Sequence, residues 1–246
     1  MSLSANEAKR YARHIVLKGI GGQGQQKLKN ARVLIIGAGG LGSPIIAYLA
    51  AAGIGTIGII DNDEVSLSNL QRQVIHTSAG VGKSKVLSAK EFALSLNPEI
   101  CINIYNERIE SENANRLIAD YDMVIDGCDS FATRLVVSKA AQDEKKYLIA
   151  GGVSMFDGHV SVFAPHLKNS NGKNNPSFRD LYPDVPNNVN LPACEETGVL
   201  GAITGVIGTL MAMEAIKLIV DIGEPLIGRL MLYDGANAKF SELTYS

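Results

Sequence analysis

Cysteine is scarce. Cys101, Cys128 and Cys194 are too few and too scattered for a disulfide framework, which fits a reducing cytoplasm. Lysine and arginine form no long run. A net charge of −2 and a pI near 6.1 give no reason to expect nucleic acid or an anionic membrane as partner. The N-terminal stretch MSLSANEAKRYARHIVLKG is polar and lacks the apolar core of a signal peptide, so the cytoplasm is the expected location. The apolar stretch Val199–Val220 is interrupted by Glu214 and Lys217, which leaves a run shorter than the ~18–20 residues a membrane span needs. A buried helix or subunit contact fits it better. No internal repeat is visible. What is present is ordinary for a soluble globular chain, 46% hydrophobic and 20% charged residues, enough for one large α/β domain or two small ones.

The organising stretch is Arg32–Asp63, RVLIIGAGGLGSPIIAYLAAAGIGTIGIIDND. Val33–Ile36 reads as a strand buried on both faces. It runs into Gly37-Ala38-Gly39-Gly40-Leu41-Gly42, a G-x-G-x-x-G turn, then an Ala-rich helix over Ser43–Ala52 and a second strand over Thr56–Ile60. Glycine lets such a turn reverse tightly, lets backbone approach phosphate and lets the helix pack close to the strand. The helix N-terminus then offers N–H groups to an anion. Asp61 follows Gly42 at about the 20-residue distance of a carboxylate that takes a ribose hydroxyl. Strand, turn, helix, strand and acid in order point to a nucleotide site without naming the nucleotide.

Around this unit, Ser4 and Glu7 form a capping box for a helix to Leu17, and a short polar helix follows to Asn30. Asn62–Gln73 is a polar loop at the carboxyl end of the second strand, where open α/β sheets bind ligands. Gly82-Lys83-Ser84 fails as a phosphate loop because Thr77 stands where glycine is required and no apolar strand precedes it. It opens a helix to Leu96 instead. Lys85 then sits in the first helical turn, against the helix dipole. Strands follow at Ile100–Tyr105, Met123–Ile125 and Tyr147–Gly151, with a helix capped by Ser130, and Asp129 stands at the tip of the fourth strand. The alternation then stops. Gly158–Ala164 reads as a hairpin strand, 166–192 as a mobile loop, and Arg229–Tyr233 with Lys239–Leu243 as a final hairpin.

The succession GAGGLG (37–42), DNDEVSLSNLQRQ (61–73), GKSK (82–85), DGCDS (126–130) and ACEETGVLGAITGVIG (193–208) resembles the ThiF/MoeB/HesA adenylyltransferases, bacterial relatives of the ubiquitin-activating enzymes. The likeness extends from RYARHIVLKG (10–19) to MLYDG (231–235). It implies one domain with a Rossmann-like α/β sheet, parallel in its N-terminal part, continued by C-terminal antiparallel strands, with helices on both faces. Residues 1–30 would be N-terminal helices, 31–151 the nucleotide-binding half, and 152–246 the carrier-binding and dimer half. The implied reaction uses Mg-ATP to adenylate the C-terminal Gly-Gly carboxylate of a small ubiquitin-like sulfur carrier, for thiamin or molybdenum cofactor synthesis.

By the same resemblance Gly37, Gly39, Gly40 and Gly42 cradle the phosphates, Asp61 holds the ribose, and Asp63 and Asn69 line the pocket. Arg72 and Lys85 neutralise the triphosphate, Asp129 holds Mg²⁺, and Arg13 reaches across a homodimer into the partner's site. Cys194 matches a cysteine implicated in a sulfur-linked carrier adduct, although Glu195 and Glu196 would raise its pKa. The chain departs from many relatives in lacking two C-x-x-C pairs, and His159 and His166 have no cysteine at ligand spacing, so no zinc is expected. Two other classes fit the fold: an NAD(P)-dependent oxidoreductase, and a non-catalytic nucleotide-binding partner. The first leaves Arg72, Lys85 and Asp129 unused, and none of the eight tyrosines has a lysine four residues on. The second gives those three residues no reason to be present.

Overall fold

A computed structural model describes residues 3–183 and 198–246. Ser4 caps the first helix through the expected box, its Oγ accepting from Glu7 N while the Glu7 carboxylate accepts from Ser4 N. The single expected helix is two, α1 (Ala5–Arg10) and α2 (Ala12–Ile15), divided at Tyr11. The cause is tertiary. Tyr11 is buried, and its hydroxyl accepts from Asn97 Nδ2 at 2.8 Å, far along the chain. α3 (Gly21–Asn30) leads into β1 (Arg32–Ile36), α4 (Gly42–Ala52) and β2 (Thr56–Ile60), which fall where the pattern of apolar residues and glycines put them.

Next come α5 (Lys85–Leu96), β3 (Cys101–Tyr105), α6 (Ala114–Ala119), β4 (Met123–Asp126) and α7 (Phe131–Asp143). Ser130 Oγ caps α7 by accepting from Thr133 N. The eight strands form one sheet in the order β3-β2-β1-β4-β5-β6-β7-β8. β1 to β5 are parallel, and β5 (Tyr147–Ser154), β6 (Asp157–Phe163), β7 (Arg229–Asp234) and β8 (Lys239–Thr244) turn antiparallel.

Successive residues of β1 face opposite layers, as strand pleating requires. Val33 and Ile35 pack with Ile45, Leu49 and Met211 on one face; Leu34 and Ile36 pack with Leu117, Val137 and Phe163 on the other. Two differences from the sequence reading come from this packing. β5 runs past Gly151 to Ser154, because Gly151 and Gly152 leave room for neighbours. A Cβ at Gly151 would lie 2.5 Å from Met211 Sδ, and one at Gly152 2.5 Å from His159 Cε1. Within 166–183 there is a short helix, α8 (Phe178–Leu181), pinned by buried Phe178 against Phe131, Phe163 and Tyr182. The rest of the expected loop, with Cys194, lies outside the described residues. α9 (Gly201–Val220) is long and apolar enough to cross a membrane, but half of it is buried in the fold.

Candidate functional site

β1 is the point at which the parallel strand order reverses, β2 lying on one side and β4 on the other. Open α/β sheets bind ligands in the crevice at such a point. The loops leaving β1 and β4 meet there. Gly127 N donates to Ile36 O at 2.9 Å, and a Cβ on Gly37 would sit 3.1 Å from Gly127 O. A cavity of about 790 Å³ opens above this edge, a size suited to a nucleotide-sized ligand.

Gly37, with φ +93°, makes the reversal, and Gly39 and Gly40 form the cavity wall. A Cβ on Gly40 would press on Thr204 at 3.1 Å and Arg72 at 3.5 Å, so its bareness keeps the cradle open. Gly42 has another task. Its added Cβ would lie 2.0 Å from Gly37 O, so it lets α4 close on the strand end, and it is not on the cavity wall. Among the described residues the N–H groups of Gly39 and Gly40 have no hydrogen-bond partner.

Asp61 ties the turn down. Its Oδ2 accepts from Ala38 N at 2.8 Å and its Oδ1 from Asp63 N at 2.9 Å. Each oxygen keeps a lone pair for a ligand hydroxyl. Lys85 and Asp63, expected at the site separately, are paired: Lys85 Nζ donates to Asp63 Oδ2 at 2.8 Å. The lysine side chain is 7% exposed and the carboxylate 62%, so the cation is sheltered and its partner can be displaced or shared. Arg72 lies across the cavity floor on the polar loop. That loop is held by α9, whose Gly201 sits so close that a Cβ there would meet Gln71 O at 2.2 Å. Asp129 lines the cavity from the β4 side and is exposed.

Arg72, Lys85, Asp61, Asp63 and Asp129 therefore share one cavity with the glycine turn. Two expected pocket residues stand off it. Asn69 is buried beneath the loop, where its carbonyl accepts from Arg72 N and Gln73 N and closes the Leu67–Asn69 turn. Arg13 is on the exposed side of α2 and does not line the cavity.

Several cavity residues carried no sequence signal. Gln73 is buried with its Oε1 unpartnered, an acceptor awaiting a donor. Thr204 enters from α9. On the β4 side, Arg134 Nη2 donates to Cys128 O at 2.7 Å and so braces the loop that carries Asp129. Asp126 Oδ1 accepts from Cys128 N at 3.0 Å, while its Oδ2 is buried and unpartnered. Burial works against the Arg134 cation, but Asp126 and its neighbours outweigh it and hold the guanidinium charged. Burial first, and then Asp126, push the Cys128 thiol up. Burial, with the Arg134 charge second, takes the His159 imidazole down to about 4, and Tyr182 OH lies 3.3 Å from its Nε2. A periodic pattern could have found none of these, because their meeting depends on the antiparallel half folding back on the parallel one.

The ThiF family model matches residues 11–246. The chain is 47% identical to a probable adenylyltransferase/sulfurtransferase, MoeZ, of Mycobacterium tuberculosis, over 99% of this chain and 61% of that one. It thus spans about three-fifths of that relative's length. It is 43% identical to the sulfur carrier protein adenylyltransferase of Thermus thermophilus, over 99% of this chain and 89% of that one. Among solved structures, Escherichia coli MccB with ATP superposes with a TM-score of 0.79 at 25% identity, over 98% of this chain and 72% of that one. A family match over nearly the whole length, on a sheet and cavity of this construction, leaves one assignment: the chain belongs to the ThiF family.

Proposed function

We propose that this chain activates a small ubiquitin-like sulfur carrier by ATP-dependent adenylation of its C-terminal Gly-Gly carboxylate, for thiamin or molybdenum cofactor synthesis. The observation that carries the reading is the single cavity in which the glycine turn, Arg72, Lys85 and Asp129 converge from separate stretches of chain. The named adenylyltransferase relatives, and MccB with ATP, support it.

In the reaction a carboxylate oxygen of the carrier attacks the α-phosphorus of ATP. A new P–O bond forms, the bond to the bridging oxygen breaks, and pyrophosphate leaves with the electron pair. Nucleophile and leaving group are both anionic, so the site must supply alignment and positive charge more than proton transfer. The Gly39 and Gly40 N–H groups and the α4 N-terminus receive phosphate oxygens, and Arg72 and Lys85 offset the triphosphate charge. Asp63 releases or shares Lys85 as phosphate arrives, and Asp61 takes the ribose. Asp129 is the residue that would hold Mg²⁺, which when bound neutralises charge building on the phosphates. No group of three or more acids, histidines or cysteines among the described residues is spaced for a metal, so phosphate oxygens and water would fill most of its coordination.

In this reading the 31–151 half holds the nucleotide, and the 152–246 half takes the carrier and a second copy of the chain. Arg13, exposed on α2, serves the partner's cavity in a homodimer, and Cys194 is a candidate for a sulfur-linked adduct. The protein acts in the cytoplasm. The deciding experiment is exchange of labelled pyrophosphate into ATP, run with a panel of carriers ending in Gly-Gly. Exchange that depends on one such carrier is expected, and none with any of them would defeat the reading.

A further inference from the structure

His76 is a buried histidine that the reaction above does not use. Its Nε2 lies 2.8 Å from Ala38 O and its Nδ1 2.9 Å from Ser88 Oγ. A carbonyl can only accept, so Nε2 carries the hydrogen. The unprotonated Nδ1 then accepts from the Ser88 hydroxyl. Ser88 is on α5, the helix that brings Lys85 to the cavity.

The residue held at the far end of this relay is Ala38, inside the glycine turn. Its N–H donates to Asp61 Oδ2 at 2.8 Å and its C=O accepts from His76, so both sides of the residue are anchored. The peptide that follows joins Ala38 to Gly39. In a trans peptide the C=O and the next N–H point in opposite directions. With the Ala38 carbonyl drawn inward to buried His76, the Gly39 N–H must face the other way, towards the cavity that Gly39 lines. Glycine at 39 puts no steric bar on the reversed peptide, which would aim a carbonyl oxygen at the ligand. Something other than the chain's own stereochemistry has to choose. The next peptide is fixed independently, since Gly39 O accepts from Ser43 N at 2.9 Å and Ser43 Oγ at 2.7 Å.

We propose that His76, oriented by Ser88, is a positioning residue that locks the Ala38–Gly39 peptide with its N–H facing the nucleotide's phosphates. The proposal rests on the nucleotide reading of the cavity and adds to it the device that sets the polarity of the turn. It concerns the phosphates and leaves the nucleoside untouched, which gives it a signature that simple loss of packing lacks.

The test is calorimetric binding of ATP and of adenosine to the full chain and to His76→Asn, His76→Gln and Ser88→Ala. Asparagine is too short to reach the carbonyl, whereas glutamine can place an amide N–H near the Nε2 position. Losing one hydrogen bond to a charged phosphate lowers affinity roughly 10- to 100-fold. That loss is expected for ATP with His76→Asn, with adenosine binding unchanged and most of the loss recovered in His76→Gln. Ser88→Ala, a milder change that keeps the imidazole, is expected to weaken ATP alone by a few-fold. Equal losses for ATP and adenosine, or ATP affinity unchanged in both His76→Asn and Ser88→Ala, would overturn the positioning role while leaving the ATP site standing. A wild-type protein that binds no ATP would sink both.

Discussion

Gly42→Ala is the sharpest test of how the turn is built, because the structure fixes the size of the fault. The added Cβ would stand 2.0 Å from Gly37 O and 2.9 Å from Gly37 C, where ordinary contact is 3.4–4 Å. α4 and the end of β1 must therefore part by more than an ångström. Gly37 cannot yield easily: its φ is +93°, its N–H is bonded to Ile60 O at 2.8 Å, and Gly127 O blocks its other side. Overpacking of this kind costs about 1–3 kcal/mol. For a domain of this size that lowers the melting temperature by roughly 2–12 °C. The same displacement moves the phosphate-facing N–H groups, and a ~1 Å misplacement near a reacting centre can cost about 10²-fold in rate. The control is Gly22→Ala in α3, where a Cβ meets nothing within 4 Å. There the change should be neutral or stabilise by about 0.4–1 kcal/mol through the unfolded chain. Thermal melts read the first effect and carrier-dependent pyrophosphate exchange the second. If Gly42→Ala melted and exchanged like wild type, or if Gly22→Ala were as harmful, the packing account of the turn would be wrong.

Lys85→Met should lower the exchange rate about 10²–10³-fold, the usual loss for one preorganised charge donor. It should barely move the melting temperature, since the Asp63 carboxylate it abandons is 62% exposed; a rate within tenfold of wild type would exclude the assigned role. Arg13→Ala and Lys85→Met should each be inactive alone and regain activity when mixed, if the arginine serves the other subunit's cavity; no recovery would count against shared sites. His159 is shifted from its ordinary 6.5 down to about 4 in the folded chain, chiefly by burial. On acidification the unfolded chain therefore takes up the proton first, so stability is steady above pH ~6.5 and falls as pH drops towards ~4. Melting temperatures across that window should fall less steeply for His159→Gln than for wild type. Some slope should remain, because His76 is shifted in the same direction, again mainly by burial.

The sequence was most legible where structure is local. β1, α4 and β2 follow from a buried β-branched run, spaced glycines and a second apolar run. Ser4 and Ser130 announce their caps. Lys85 at a helix start, where a cation opposes the dipole, was a visible anomaly, and the cavity accounts for it. Illegible features are those decided by residues far apart in the chain. Nothing near Tyr11 says that a helix will break there, because the reason is Asn97 and the packing around it. Nothing near Gly151 and Gly152 says that a strand will continue through two glycines, because the reason is Met211 and His159. Asn69 and Gly42 belong to motifs that touch the ligand site, yet both act one layer beneath it, the first closing a turn and the second admitting a helix. Motif membership gave the neighbourhood of each residue and not its task. The same division explains why His76 escaped notice: a lone histidine in a loop is unremarkable until the carbonyl it holds proves to be the one whose direction decides whether the turn attracts a phosphate or repels it.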